Sequence, residues 1–134
     1  MLAHPHPEQA PAGDLGGPAL RSFFRLAEHW KLRIAEQRRL LGDPAESTFF
    51  KWKRDQDGHP ARDVIERISY LLGIWKSLQI LFPDPAVADA WVRKPNKAAM
   101  FGGRSALERM LAGNVSDLNA VRRYLDAARG GGWS

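Results

Sequence analysis

Two groups of cationic side chains stand out in this sequence, and both suit binding rather than covalent chemistry. Thr48, Lys51, Lys53 and Arg54 fall in the run STFFKWKR, and Arg122, Arg123 and Arg129 fall in VRRYLDAAR. An ammonium or guanidinium group neutralises a phosphate, and a short polar tip on the same helix reaches a base edge. Nothing around these groups supplies a nucleophile with a base, or a set of metal ligands. The chain of 134 residues has no cysteine, which excludes a disulfide framework, a thiolate zinc cluster and a thiol nucleophile. His4 and His6 have no third ligand nearby, and His59 beside Pro60 reads as a turn residue rather than a base or ligand. A glycine-rich phosphate loop after a strand is also missing. The expectation is a protein that is not an enzyme and carries no cofactor and no metal. The net charge of +5 permits an acidic partner, nucleic acid first, without diagnosing one.

The elements that must position these groups are helical. Residues 1–18, rich in proline, glycine and alanine, have no hydrophobic period and read as a disordered leader. Leu20, Phe23, Phe24, Ala27 and Trp30 recur at three and four residues, which predicts a helix over 19–30. A second helix is expected from Lys31 or Leu32 to Leu41, with Ile34, Ala35 and Leu41 as its apolar face and Gly42 as its stop. A third is expected over 44–55, with Asp43 as cap, Pro44 at the first position and Glu46 completing a capping box. Its Phe49 and Trp52 lie on one side, and its basic and hydroxyl tips point elsewhere. Two short helices around a glycine turn, the second polar and basic, make a helix-turn-helix pattern, and such pairs serve both DNA contact and plain packing.

Residues 56–60 form a turn. The strongest periodicity follows: Val64, Ile65, Ile68, Leu71, Leu72, Trp75, Leu78 and Leu81 trace a stripe that predicts a helix over 61–81 shared by both halves of the chain. Gly73 inside it costs about 1 kcal/mol relative to alanine and suggests a close helix crossing or a slight break. Asp84 and Pro85 start another helix, on which Val87 and Trp91 are one turn apart.

Residues 90–113 then read AWVRKPNKAAMFGGRSALERMLAG. Pro95 and Asn96 force a turned or extended backbone. Met100 and Phe101 precede a glycine pair, Ser105 opens a helix with Glu108 at the capping-box position, and Gly113 closes it. Trp91, Met100 and Phe101 either pack as a small satellite core or present a binding surface, and the residues alone leave both open. The last helix is expected over 117–129 with a Ser116 or Asp117 cap, and Leu118, Val121, Leu125 and Ala128 inside. Three glycines then lead to Trp133, which either folds back or enters a partner.

In this order the residues resemble a known family. ERISYLLGIWKSLQILFPD, AWVRKPNKAAMFGGRSALERMLAG and LNAVRRYLDAARGGG together look like the toxin-binding domain of Xre/MbcA/ParS-type antitoxins, over about residues 62–132. The stretch LLGDPAESTFFKWKR is similar to the Xre-like helix-turn-helix half. One departure is Ala106 after Ser105, where many relatives have proline; proline there only rigidifies a helix start.

The resemblance implies an all-α bundle: a leader over 1–18, a helix-turn-helix region over 19–60 and a toxin-binding domain over 61–134. It implies a type II antitoxin whose partner is a RES-domain toxin that degrades NAD or uses it for ADP-ribosylation. Neutralisation would come from blocking the toxin's NAD cleft. Carried over by position, the toxin-binding surface comprises Trp91, Pro95, Asn96, Phe101 and Gly102 with the last helix and tail, where Arg122, Arg123, Arg129 and Trp133 suit a phosphate site and a ring-stacking site. Thr48, Lys51, Lys53 and Arg54 are the DNA-contact candidates, with operator DNA and a homodimer as further expected partners. A stand-alone helix-turn-helix regulator is the alternative. No apolar run approaches a membrane span, and the start lacks the features of a signal peptide, so the expected location is the cytoplasm.

Overall fold

The computed structural model describes residues 15–130. The fold is all-α: α1 Gly16–His29, α2 Ile34–Leu40, α3 Glu46–Asp55, α4 Arg62–Leu81, α5 Pro85–Ala90, α6 Ala106–Met110 and α7 Val115–Arg129, with a 3-10 turn Trp91–Arg93 after α5. The leader's residues 1–14 and the tail's Gly131, Gly132, Trp133 and Ser134 lie outside the described residues, and His4 and His6 with them.

The centre of the molecule is α4. Its buried side chains Val64, Ile68, Leu71, Ile74 and Leu78 meet α1 on one side and α7 on the other, with α5 at its C-terminal end. The stripe read from the sequence is therefore one core shared by both halves. Phe23 and Phe24 of α1 stack edge-to-face at 5.3 Å, and Phe24 meets Phe49 of α3 at 5.8 Å. Such aromatic pairs add about 0.5–1.5 kcal/mol each beyond area burial, and here they fix α3 against α1. Gly73 sits where the Arg122 guanidinium of α7 lies over α4; a Cβ there would stand 2.4 Å from Arg122 Cζ. The close approach anticipated at this glycine is made by an arginine.

Several boundaries differ from the expected ones, each for a local reason. α1 starts at Gly16, because Gly16 and Gly17 pack against Gly58, Asp57 and Pro60, where a side chain would collide. α2 starts at Ile34, because Lys31 has φ +54° and Arg33 takes the extended cap conformation. Its inner face is only partly the expected one: Leu41 is buried, but Ile34 and Ala35 are exposed, and Glu36, Gln37 and Leu40 are buried in their place. Asp43 does not cap α3. It has φ +58° and pairs with Arg39 at 2.7 Å, so α3 begins only at Glu46, after an Ala45 that offers no side-chain cap. α7 begins at Val115 behind Asn114, which draws Asp117 into the first turn. The cap at Asp84 and the reciprocal Ser105–Glu108 box are as expected.

Candidate functional site

Residues 94–105 fold into a hydrogen-bonded hairpin-like loop. Pro95 and Ser105 form an isolated antiparallel bridge, Asn96 N–H donates to Arg104 O at 3.0 Å, and Gly103 N–H donates to Asn96 O at 2.9 Å. The Asn96 side chain accepts from Ala98 N–H at 2.8 Å, closing a turn of the kind that asparagine favours. Gly102 and Gly103 have φ +57° and +85°, which a side chain rarely adopts, and open space surrounds both. The loop is thus held by its own backbone and presents a bare tip.

Its base is aromatic. Trp91, Phe101 and Tyr124 form a cluster with ring centroids 5.2 to 6.4 Å apart. Phe101 is buried, and Trp91 and Met100 are half-buried. Arg109 braces the loop from α6, donating to Met100 O at 2.8 Å and to Asp117 at 2.9 Å. Of the two readings left open in the sequence, packing is what the rings do: Phe101 joins the main core, with Trp91, Met100 and Tyr124 packed against it, and the loop stands on them. Burial raises the Asp117 carboxyl, but hydrogen bonds from Arg109 and Asn114 outweigh it and hold the group below its usual range.

The arginines of α7 divide between two edges of the helix. Arg122 donates to Ser69 O at 3.4 Å and lies 3.7 Å from Asp126, and Arg129 donates to Ser77 Oγ at 3.3 Å, so both lean on α4. Tyr124, with Trp91 and Phe101, occupies the opposite edge. Arg123 is exposed, and its side chain has no partner among the described residues. Arg122 and Arg129 are therefore not part of the loop surface. The loop instead carries cations that the sequence reading passed over. Lys94, Lys97 and Arg104 are exposed, with side chains unpaired among the described residues. Their signal was the charge flanking each turn pair: Lys-Pro-Asn-Lys, then Gly-Gly-Arg.

The second surface is α3. Thr48, Lys51, Lys53 and Arg54 are all exposed. Ser47, Lys51 and Arg54, four and three residues apart, share the face opposite the buried Phe49 and Trp52. Lys53 lies on one flank with its ammonium 5.3 Å from the Phe24 ring, and Thr48 on the other. Arg54 pairs with the adjacent Asp55 at 2.9 Å, and this hydrogen bond holds the Asp55 carboxyl below its usual range. Arg21 and Arg25 of α1 line an open cleft with Phe24, Gln56 and the acidic Glu28, which adds two cations and one carboxylate beside the residues named from sequence.

Charged contacts tie the loop half to the helix-turn-helix half. Arg93 donates to Trp30 O at 3.1 Å, to Lys31 O at 2.7 Å and to the buried Glu36 at 2.9 Å. Arg39 donates to Leu111 O at 3.0 Å and Ala112 O at 2.8 Å, and Arg67 to Gly113 O at 3.1 Å. Asp89 of α5 accepts from Trp75 and Gln79 of α4 and lies 3.1 Å from His29 of α1. Glu36 is pushed up by burial, but the Arg33 N–H and the Arg93 and Arg33 guanidinium groups outweigh this and lower it overall.

This arrangement defines a helix-turn-helix protein with an all-helical second half that presents a rigid loop. Residues 10–73 match the antitoxin Xre-like helix-turn-helix domain, and residues 77–131 match the antitoxin Xre/MbcA/ParS C-terminal toxin-binding domain. Over 112 residues the chain is 52% identical to the uncharacterized protein y4oB of Sinorhizobium fredii, covering 84% of each chain. No solved structure matches. The chain belongs to the Xre/MbcA/ParS-type antitoxin family. It is a type II antitoxin, and its partner is a protein toxin. Among the described residues, no helix is long and apolar enough to cross a membrane.

Proposed function

We propose that this antitoxin neutralises a RES-domain toxin that consumes NAD, by inserting the 94–105 loop and the outer face of α7 into the toxin's cofactor cleft. The observation that carries this reading is the loop: a backbone-braced tip with Lys94, Lys97 and Arg104 unpaired, standing on the Trp91–Phe101–Tyr124 cluster. NAD is a dianionic pyrophosphate between two ring systems, so a cleft shaped for it tolerates guanidinium and ammonium groups at its phosphate position. A tip that is already ordered loses little entropy on docking, which favours tight capture. Arg123, Pro95 and Gly102 are the exposed members of the surface, with Trp91 and Asn96 at its edge and Phe101 beneath it. Trp133 is a further candidate for ring stacking, beyond the described residues.

The same chain represses its own gene pair by placing α3 in the major groove of an operator, with Lys51 and Arg54 on phosphates and Ser47 and Thr48 toward base edges. A homodimer would match the two-fold symmetry of such a site. Both activities take place in the cytoplasm. The test is co-expression with the adjacent gene product, following growth, cellular NAD and co-purification together. Direct capture restores growth and NAD and yields a stable complex. Recovery of growth without a complex would shift the function to the stand-alone regulator, and a harmless, unbound neighbour would remove the RES assignment.

A further inference from the structure

The feature least suited to phosphate binding on α3 is Phe50. It is 42% exposed, the one large hydrophobic residue of α3 left in water. Its ring leans edge-on against buried Phe49 at 5.3 Å, which limits its freedom without covering it. Lys51 and Lys53 follow it at one and three residues, and Ser47 and Arg54 lie one turn to either side, all exposed. A protein-binding patch needs an apolar centre of several side chains within a polar rim. On α3 there is one ring among the cations Lys51, Lys53 and Arg54, the hydroxyls Ser47 and Thr48 and the acids Glu46 and Asp55, a mixed polar set with a net positive charge that fits a polyanion better than a protein patch.

The major groove offers such a ring one apolar feature, the C5-methyl group of thymine, and phenylalanine is among the side chains that contact it. Glu46 belongs to the same pattern. It is exposed one turn before Phe50, where a carboxylate repels phosphate but accepts from the N4 amino group of cytosine. An acid and an aromatic side by side weaken a plain phosphate-binding helix, and both gain a partner when they face pyrimidine edges.

We infer that Phe50 is a specificity-determining residue that reads a thymine methyl group in operator DNA, with Glu46 facing a neighbouring base. This rests on the operator-binding reading above and adds a base preference to it. Removing the methyl group costs about 0.8 kcal/mol of apolar burial, which is about fourfold in affinity.

The full-length chain is used to select duplexes from a randomised library, and deoxyuridine then replaces each thymine of the selected site in turn. The expected result is one position where uracil weakens binding about fourfold. In Phe50→Ala, thymine and uracil at that position bind alike, while helicity and toxin co-purification are unchanged. A selected site without thymine overturns the inference, as does uracil tolerated everywhere, or a Phe50→Ala protein that keeps the thymine preference. A Phe50→Ala protein that changes oligomeric state with no change in base preference assigns the ring to a protein contact instead. Selection of no DNA by the wild-type chain refutes the operator reading itself and takes the inference with it.

Discussion

Replacing Arg93 by methionine tests how the two halves are joined. Arg93 reaches from the turn after α5 to two carbonyls at the end of α1 and to Glu36 of α2. A hydrogen bond to a charged partner contributes about 1.5–3 kcal/mol, and two bonds to carbonyls contribute about 1 kcal/mol each when not replaced by water. The Arg93 side chain is 39% exposed against 6% for Glu36, so solvent screening takes the total below the lower end of that sum, about 3.5 kcal/mol. Arg33 also still serves Glu36 through its N–H at 2.8 Å. The expected loss is about 2–3 kcal/mol, or roughly 10 °C in Tm for a chain of this size. The pH dependence separates an ionic role from a packing role. Glu36 is lowered in the folded protein, so its charge contributes stability above the unfolded carboxylate range, and that contribution is lost as pH falls through the folded value. In Arg93→Met, burial is opposed only by Arg33, and the Glu36 carboxyl rises. The gap between the two proteins is therefore widest near neutral pH and narrows as pH falls through the carboxylate range, where Glu36 of the variant takes up its proton while that of the wild type is still ionised. Urea unfolding at pH 7 and at pH 4 measures it. A gap under about 1 kcal/mol at pH 7, or one equal at both pH values, refutes the reasoning.

Three further predictions follow from the same geometry. Reversing the loop cations in a Lys94→Glu, Lys97→Glu, Arg104→Glu triple variant is expected to weaken toxin capture at least tenfold with Tm within about 2 °C, because these side chains make no hydrogen bond or ion pair among the described residues; calorimetry and a thermal melt read both. Gly73→Ala is expected to be neutral or stabilising by up to about 1 kcal/mol, since the gain in helix propensity offsets pushing aside only the flexible end of Arg122; chemical denaturation decides the sign. Lys51→Ala and Arg54→Ala are each expected to lower DNA affinity uniformly across sequences and to reduce the salt slope by about one, as measured by anisotropy at several ionic strengths.

The sequence made the long amphipathic helices and the glycine-bounded loop legible, because apolar spacing and turn residues act locally. The α4 stripe is the clearest instance: Val64, Ile68, Leu71 and Leu78 are buried as their spacing predicts, although Ile65, Leu72, Trp75 and Leu81 are only half-buried and the buried Ile74 and Ser77 fall outside the stripe. α2 was misread because its buried face is polar. Glu36 is admitted to the interior by Arg93, 57 residues away, and no local pattern announces such a partner. Asp43 was misread for a related reason, since the Arg39 ion pair and a positive φ removed it from the cap geometry that its residue type favours. At the candidate site, the turn residues of the loop were legible as a turn, but the arginines of α7 were grouped by nearness in sequence. Which edge of a helix a side chain takes depends on the neighbouring helices, and Ser69, Gly73 and Ser77 of α4 drew Arg122 and Arg129 away from the loop.

Because α4 supplies the inner wall of both halves, neither half can open alone without exposing the shared apolar stripe. The protein then has one lifetime against cellular proteases, set by a single opening equilibrium. With the toxin docked on the loop as proposed, free toxin at a hundred times its Kd would deepen that equilibrium by about 2.7 kcal/mol, and the protection would extend to α3, outside the proposed surface. Free antitoxin and captured antitoxin would therefore differ about a hundredfold in their fraction open to degradation, so turnover reports on toxin occupancy.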